Sequence, residues 1–133
     1  MKFFNQAGAI VYQPFTSTVR ITFGDTGTLN EYRETLRIAE GMAQLHRATA
    51  YLIEKESFDH LSVSEYGQFL MDWVAQLNNQ WQSHRSIAFV VPPSAVSAVR
   101  EECQNHFLSF VNIPYEIVTS YSEAVRFLGI SQL

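Results

Sequence analysis

One polar stretch of the chain carries the residue types that hydrolytic enzymes use. Asp59, His60 and Ser62 lie close together in the sequence, and a carboxylate, an imidazole and a hydroxyl are the groups of a nucleophilic triad. Such chemistry requires the serine oxygen about 3 Å from the histidine and a separate oxyanion hole. The sequence contains no Gly-x-Ser-x-Gly turn, and Ser62 precedes Glu65 at the spacing of a helix capping box. We therefore predict that Ser62 caps a helix, with a small hydrolase as an alternative.

The same stretch offers ligands for a metal ion. Glu56, Asp59 and His60 would supply oxygen and nitrogen atoms. The four histidines are scattered, however, without His-x-x-x-His or His-x-His spacing, so we predict a solvated acidic loop with no metal and no cofactor. Gly24–Thr28 precedes a predicted helix, where backbone amides attract anions. Because Asp25 would repel a phosphate, we interpret this segment as a turn and a helix cap.

Hydrophobic periodicity predicts the elements that must position these residues. Strands are predicted over Ala9–Phe15, Val19–Phe23, Ala48–Ile53, Ile87–Val91 and Tyr115–Val118. Helices are predicted from the Thr28-x-x-Glu31 capping box to about Gln44, from Ser62, from Ser94, and from the Ser120-x-x-Glu123 box. The first two strands form an antiparallel hairpin, and Pro14, which lacks an N–H donor, predicts that the first strand lies at an edge of the sheet.

The resulting order, ββαβαβαβα, indicates one α/β domain over residues 1–133. It has a mixed, mostly parallel sheet with an N-terminal hairpin and covering helices. Ligands of such sheets usually bind beyond the carboxyl ends of the strands. The longest and most polar loop expected there is Glu54–Ser64, which we call the polar loop. Its candidate interaction or regulatory residues are Glu56, Asp59, His60, Ser62 and Ser64.

Composition excludes several classes of protein. Hydrophobic residues make up 47% and charged residues 17% of the chain, which is too apolar for a disordered protein. The net charge of −4 gives no electrostatic reason to expect nucleic acid or an acidic lipid surface. Cys103 is the single cysteine, so no intramolecular disulfide forms. No run approaches the ~18 apolar residues of a membrane span, and the first residues turn polar too early for a signal peptide. We therefore expect a cytoplasmic protein.

Aromatic residues are abundant, with ten Phe, six Tyr and two Trp. Buried parallel strands such as Ile87–Val91, and helices with residues such as Trp73, account for most of them as core. Trp81, the Phe3–Phe4 pair and Phe110 lie at the ends of predicted elements. We expect any surface that contacts a partner at these few aromatics, and the apolar hairpin edge makes a homodimer a further expectation.

The element order resembles that of the STAS domain (sulphate-transporter and anti-sigma-factor-antagonist), and is more similar still to the SpoIIAA-like set of bacterial proteins. The resemblance rests on the third predicted strand running into a polar loop and a capped helix, Tyr51–Gly67, and on the ending Thr119–Leu128. In STAS antagonists the loop after the third strand carries a phosphorylatable serine or threonine. The resemblance implies Ser62 or Ser64 for that role, although the Asp-Ser pair of the family motif is absent here.

Three functions follow as expectations. The first is a non-enzymatic STAS-like interaction or regulatory module that presents the polar loop and the following helix to a partner protein. The second is a carrier of a small apolar molecule or lipid, which requires a pocket of about 300–1,000 Å³. The third is the hydrolase that uses Asp59, His60 and Ser62, which requires converging polar groups with perturbed pKa values.

Overall fold

Strands and helices alternate along most of the chain. The computed structural model describes residues 2–4, 6–80, 86–106 and 113–129; Trp81 and Phe110, which the sequence predictions used, lie outside these ranges. The strands are β1 (Lys2–Phe4), β2 (Gly8–Gln13), β3 (Thr18–Phe23), β4 (Ala50–Lys55), β5 (Ser86–Val90) and β6 (Tyr115–Val118). The helices are α1 (Leu29–His46), α2 (Val63–Gln80), α3 (Val96–His106) and α4 (Tyr121–Leu128).

A six-stranded sheet follows the order of the chain, from β1 at one side to β6 at the other. The β1–β2 and β2–β3 pairs are antiparallel, and β3 to β6 run parallel to one another. The predicted mixed, mostly parallel α/β sheet is therefore confirmed. The observed order is βββαβαβαβα, with one N-terminal strand more than the sequence predicted.

That additional strand corrects the prediction that the hairpin's first strand lies at the edge. β1 pairs with β2, with Lys2 opposite Val11, so β2 has a neighbour on both sides. A strand of three residues is too short to show a periodicity. Pro14 does not weaken β2, because β2 ends at Gln13 and Pro14–Thr16 form a 3₁₀ turn instead of the predicted continuation of the strand.

The strand order determines which face each helix covers. Buried residues of α1, α2 and α3 share one core with Ile21, Tyr51 and Phe89 of the sheet. When every β–α–β crossover is right-handed and leads to the neighbouring strand on the same side, the connecting helices all lie on one face of the sheet. Helix α4 follows β6 and lies on the opposite face, where Ala124 packs with Leu52.

A charged cluster holds α4 against that opposite face. Arg20 Nε donates to Glu54 Oε1 at 2.6 Å across the β3–β4 pair. The guanidinium carbon of Arg20 lies 4.7 Å from the centroid of the Tyr121 ring at the start of α4. A cation–π contact of this kind contributes about 0.5–1 kcal/mol at a partly exposed site.

Three predicted helix starts are confirmed. The side chains of Thr28, Ser62 and Ser120 each accept the backbone N–H of the residue three positions later. The prediction that the third helix runs from Ser94 is wrong. Ser94 lies inside a 3₁₀ turn, which two prolines introduce, and α3 begins at Val96.

Cys103 lies in the main core, as predicted, with 1% of its surface exposed. Burial, together with the nearby charge of Glu102, raises the pKa of its thiol to about 12. A thiol of this kind is protonated and unreactive at neutral pH.

Candidate functional site

Residues 56–62 of the polar loop connect β4 to α2 beyond the carboxyl ends of the parallel strands, whereas Glu54 and Lys55 belong to β4 and Val63 and Ser64 to α2. The side chains of Glu56, Asp59, His60 and Ser64 are exposed. This placement agrees with the expectation from the strand order. Their role in contacting a partner stays a prediction.

Asp25, in the loop after β3, fixes the backbone of the polar loop. Asp25 Oδ2 accepts the backbone N–H of Asp59 at 2.7 Å and that of His60 at 3.1 Å. The same oxygen accepts the hydroxyl of Ser57 at 3.1 Å. One carboxylate therefore replaces the hydrogen bonds that the irregular backbone cannot make in a sheet or helix.

The other carboxylate oxygen of Asp25 accepts a hydrogen bond from a buried lysine. Lys55 Nζ donates to Asp25 Oδ1 at 3.0 Å, and the Lys55 side chain is 0% exposed. It also donates to the carbonyl of Ser57, and its nitrogen lies 5.1 Å from the Phe58 ring centroid and 5.9 Å from that of Tyr32. These partners offset the cost of burying the ammonium group.

The pKa of Asp25 reflects this environment. Burial alone would raise it, but hydrogen bonds from Lys55, the Asp59 amide and Ser57, with the charge of Lys55, outweigh that effect and lower the pKa to about 2. Asp25 is therefore ionised at all but strongly acidic pH. The sequence-based interpretation of Asp25 as part of a turn missed its role in holding the polar loop.

The candidate triad is not hydrogen-bonded in the part of the chain that the structure describes. Ser62 Oγ donates to Glu65 Oε1 at 3.0 Å and accepts the Glu65 N–H at 3.0 Å. Asp59 and His60 supply their backbone N–H groups to Asp25. Ser62 thus acts as a helix cap. The described residues also contain no group of three His, Cys, Asp or Glu side chains that could hold a metal ion.

A second site, which the sequence did not reveal, lies between α1 and α2 on the helix-covered face. The two helices enclose a groove of about 360 Å³, which we call the α1/α2 groove. Its apolar residues are Leu36, Phe69, Trp73 and Leu77, all of them buried in the main core on their inner sides. The prediction that Trp73 belongs to the core is confirmed.

Polar side chains surround this apolar floor. Arg33 and Arg37 of α1 line one side, and Asp72 and Gln76 of α2 line the other; all four are exposed. Arg37 donates to Glu34 on its own helix. The groove therefore has an apolar base and a rim of mixed charge.

Glu40 brings a carboxylate into the groove. Its residue surface is 9% exposed, and it is one of the residues that line the cavity. Glu40 Oε1 accepts the Tyr51 hydroxyl at 2.6 Å, and Oε2 accepts Gln44 Nε2 at 3.0 Å. The Tyr51 ring packs edge-on against Trp73 with 5.0 Å between centroids. Tyr51 of the sheet and Gln44 of α1 thus hold this carboxylate in position.

One sequence signal could have indicated this site. Glu40 lies four residues after Leu36 and one after Ala39, within the apolar stripe of α1. A charged residue on a core-facing stripe is rare unless it has partners. Its partner Tyr51 lies on a different element, so the pair emerges only in the folded chain.

The other aromatic candidates separate into two groups. Phe3 packs against the main core, whereas Phe4 is 70% exposed. Successive residues of a strand point to opposite faces, which explains the difference. Trp81 and Phe110 lie outside the described residues.

In comparisons with known proteins, the chain matches no family model, no curated protein and no solved structure. The resemblance to STAS domains therefore stays a prediction. Separately, none of the helices in the described ranges has the length and apolar composition that crossing a bilayer requires.

Proposed function

We propose that this protein is a non-enzymatic binding module that holds a small molecule with an apolar body in the α1/α2 groove. The observation that supports this proposal is the cavity of about 360 Å³ with a floor of Leu36, Phe69, Trp73 and Leu77. Its volume falls within the usual range of about 300–1,000 Å³ for small-molecule sites. The carrier, one of the three expected functions, fits this geometry best.

The size of the groove suits a small molecule. A molecule of two or three rings, or a medium-length alkyl chain, fits a cavity of about 360 Å³. Contact with the apolar floor would supply its binding free energy, at about 25 cal/mol per Å² of apolar surface removed from water.

Titration with N-phenyl-1-naphthylamine tests the proposal. This neutral aromatic probe gains fluorescence in an apolar site, and we expect saturable binding with one site per chain. Gln76→Trp places an indole at the rim and should weaken binding at least about tenfold, which is 1.4 kcal/mol. Gln104→Trp is the matched control, since Gln104 is also an exposed helical residue but does not line the groove. The proposal fails if the probe does not bind, or if both variants bind it equally.

We also propose, as a second candidate, the STAS-like interaction module. Its support is the element order and the way Asp25 fixes the backbone of Asp59 and His60 while their side chains stay exposed. A loop held in one conformation loses little entropy when it binds a partner. An Asp59→Lys/His60→Glu variant that keeps its stability but loses a protein co-purifying with the wild type would support this function. A homodimer and a cytoplasmic location stay predictions from the sequence.

A further inference from the structure

The two edge strands of the sheet differ in how their outward-facing backbone groups are used. In β6, Val118 directs its carbonyl to β5, so the preceding residue, Ile117, directs its own N–H and carbonyl to the open edge. Two side chains bond to these groups. The Glu116 carboxylate accepts the Ile117 N–H at 3.1 Å, and Arg100 donates to the Ile117 carbonyl at 2.8 Å. The chain's own side chains thus block this edge against a further strand.

The direction of the backbone groups in β1 follows from the hairpin. The Gly24 N–H donates to the Ala7 carbonyl at 2.7 Å, so the backbone groups of Ala7 point towards the β3 side. Because this direction alternates along a strand, Ile10, three residues later, directs its groups to β1. Phe3 is the residue opposite Ile10. The N–H and carbonyl of Phe3 therefore face β2.

The two neighbours of Phe3 face the open edge instead. Lys2 and Phe4 direct their N–H and carbonyl groups away from β2, and no side chain or loop within the described ranges bonds to them. The Phe4 side chain is 70% exposed. Unpaired donors and acceptors along an edge strand are the binding surface for a further β-strand. The chemistry of this edge therefore specifies an extended strand as its occupant.

The β1 strand is complementary to a second copy of itself. In an antiparallel pair about a twofold axis, Lys2 lies opposite the second copy's Phe4, and the two Phe3 residues lie opposite each other. In this register both outward-facing residues form hydrogen-bonded pairs, each of which exchanges two N–H···O bonds. The register also keeps the two Lys2 ammonium groups from lying opposite each other. Each ammonium group lies instead beside an exposed Phe4 ring, whose face attracts a cation.

We infer that this protein forms a homodimer in which two β1 strands pair antiparallel and join two six-stranded sheets into one. The homodimer expected from the sequence thereby acquires a defined interface. This interface is independent of the proposed ligand-binding function, because no residue of β1 lines the α1/α2 groove. Pairing through strands of three residues covers a small area. The dimer is therefore weak and reversible, as is typical of interfaces below about 1,200 Å².

Sedimentation equilibrium of the full chain tests the association. Between about 10 μM and 1 mM, the range of weak complexes, the apparent mass should rise from that of one chain towards that of two. A mass that stays at that of one chain up to about 1 mM overturns the inference.

Three variants test the strand pairing and its register. Phe4→Lys places a lysine opposite Lys2 of the second copy and should weaken the dimer at least about tenfold. Phe15→Lys is the matched control, since Phe15 is 96% exposed but lies outside β1, and its dimer should keep its affinity within about threefold. The double variant Lys2→Glu/Phe4→Lys places opposite charges across the pair and should recover affinity relative to Phe4→Lys. Equal affinities of Phe4→Lys and Phe15→Lys, or no recovery in the double variant, overturn the inference.

A measurement on the unchanged protein locates the interface without any variant. In a mixture of ¹³C-labelled and unlabelled chains, filtered nuclear Overhauser effects should connect the Hα atoms of the two Phe3 residues. The two Cα atoms of such a pair, which is not hydrogen-bonded, lie about 4.5 Å apart. Effects between copies that involve Phe15 or α4, without β1, overturn the inference.

Discussion

Replacing Asp25 with asparagine removes the charge that faces the buried ammonium group of Lys55. The Lys55 side chain is 0% exposed and that of Asp25 14%, so water can replace the carboxylate for Lys55 only in part. Removing one partner of a buried ion pair costs about 3–5 kcal/mol. Asparagine keeps one acceptor oxygen, and solvent reaches the Asp25 side of the pair, so we expect the lower end, about 3 kcal/mol.

Acid should reproduce part of this loss in the unchanged protein. The pKa of Asp25 is about 2 in the folded protein, against an ordinary value of 3.8. A carboxyl group with a lowered pKa stabilises the fold at pH values above its unfolded pKa. That contribution should disappear as the pH falls from about 3.8 towards about 2, and Asp25→Asn should lack this part of the pH dependence.

Urea unfolding followed by tryptophan fluorescence measures both effects, with hydrogen exchange at the Asp59 and His60 amides as a local readout. These two amides donate to Asp25 and should exchange faster in the variant. Asp59→Asn is the matched control, because Asp59 is exposed and keeps its backbone donor, so a change within about 0.5 kcal/mol is expected. A loss below about 1 kcal/mol in Asp25→Asn, with unchanged exchange at both amides, refutes the buried-pair argument.

Predictions for three further substitutions concern stability. Gly67→Ala should destabilise the protein, because the added Cβ would lie 2.6 Å from Glu102 Cβ and overpacking costs about 1–3 kcal/mol. The substitution Gly41→Ala, where the added Cβ meets nothing within 4 Å, should stabilise the protein by about 0.5–1 kcal/mol. If thermal melts show Tm changing in the same direction for both glycine variants, this prediction is contradicted. Ser62→Ala should cost about 1 kcal/mol through the lost helix cap, and an unchanged unfolding free energy would show that the cap contributes nothing.

Local sequence signals were sufficient to predict most of the helices and strands. The capping boxes at Thr28, Ser62 and Ser120 predicted three helix starts that the structure confirms, because a cap involves residues only three positions apart. β1 was missed for the opposite reason. Its three residues form a strand only by pairing with β2, so no local pattern identifies them.

The candidate sites show the same difference between local and long-range information. The sequence predicted the polar loop because its length and polarity are local properties. The strand predicted over Ala48–Ile53 lies instead at Ala50–Lys55, and this shift places Lys55 in the inward-pointing set with Tyr51 and Ile53. Its partner Asp25 is distant in sequence, so the ion pair could not be predicted from either segment alone.

The sequence by itself determined the class of the protein: alternating strands and helices, their caps, and an apolar composition that a mostly parallel sheet with its covering helices buries. Only the tertiary structure decided where a ligand could bind. The α1/α2 groove exists because α1 and α2 cover the same face and leave a space between them, and the Glu40 carboxylate lines it while bonded to Tyr51 of the sheet. The gap between two helices depends on their packing angle and their distance on the sheet, and the residue pattern of either helix alone does not predict these.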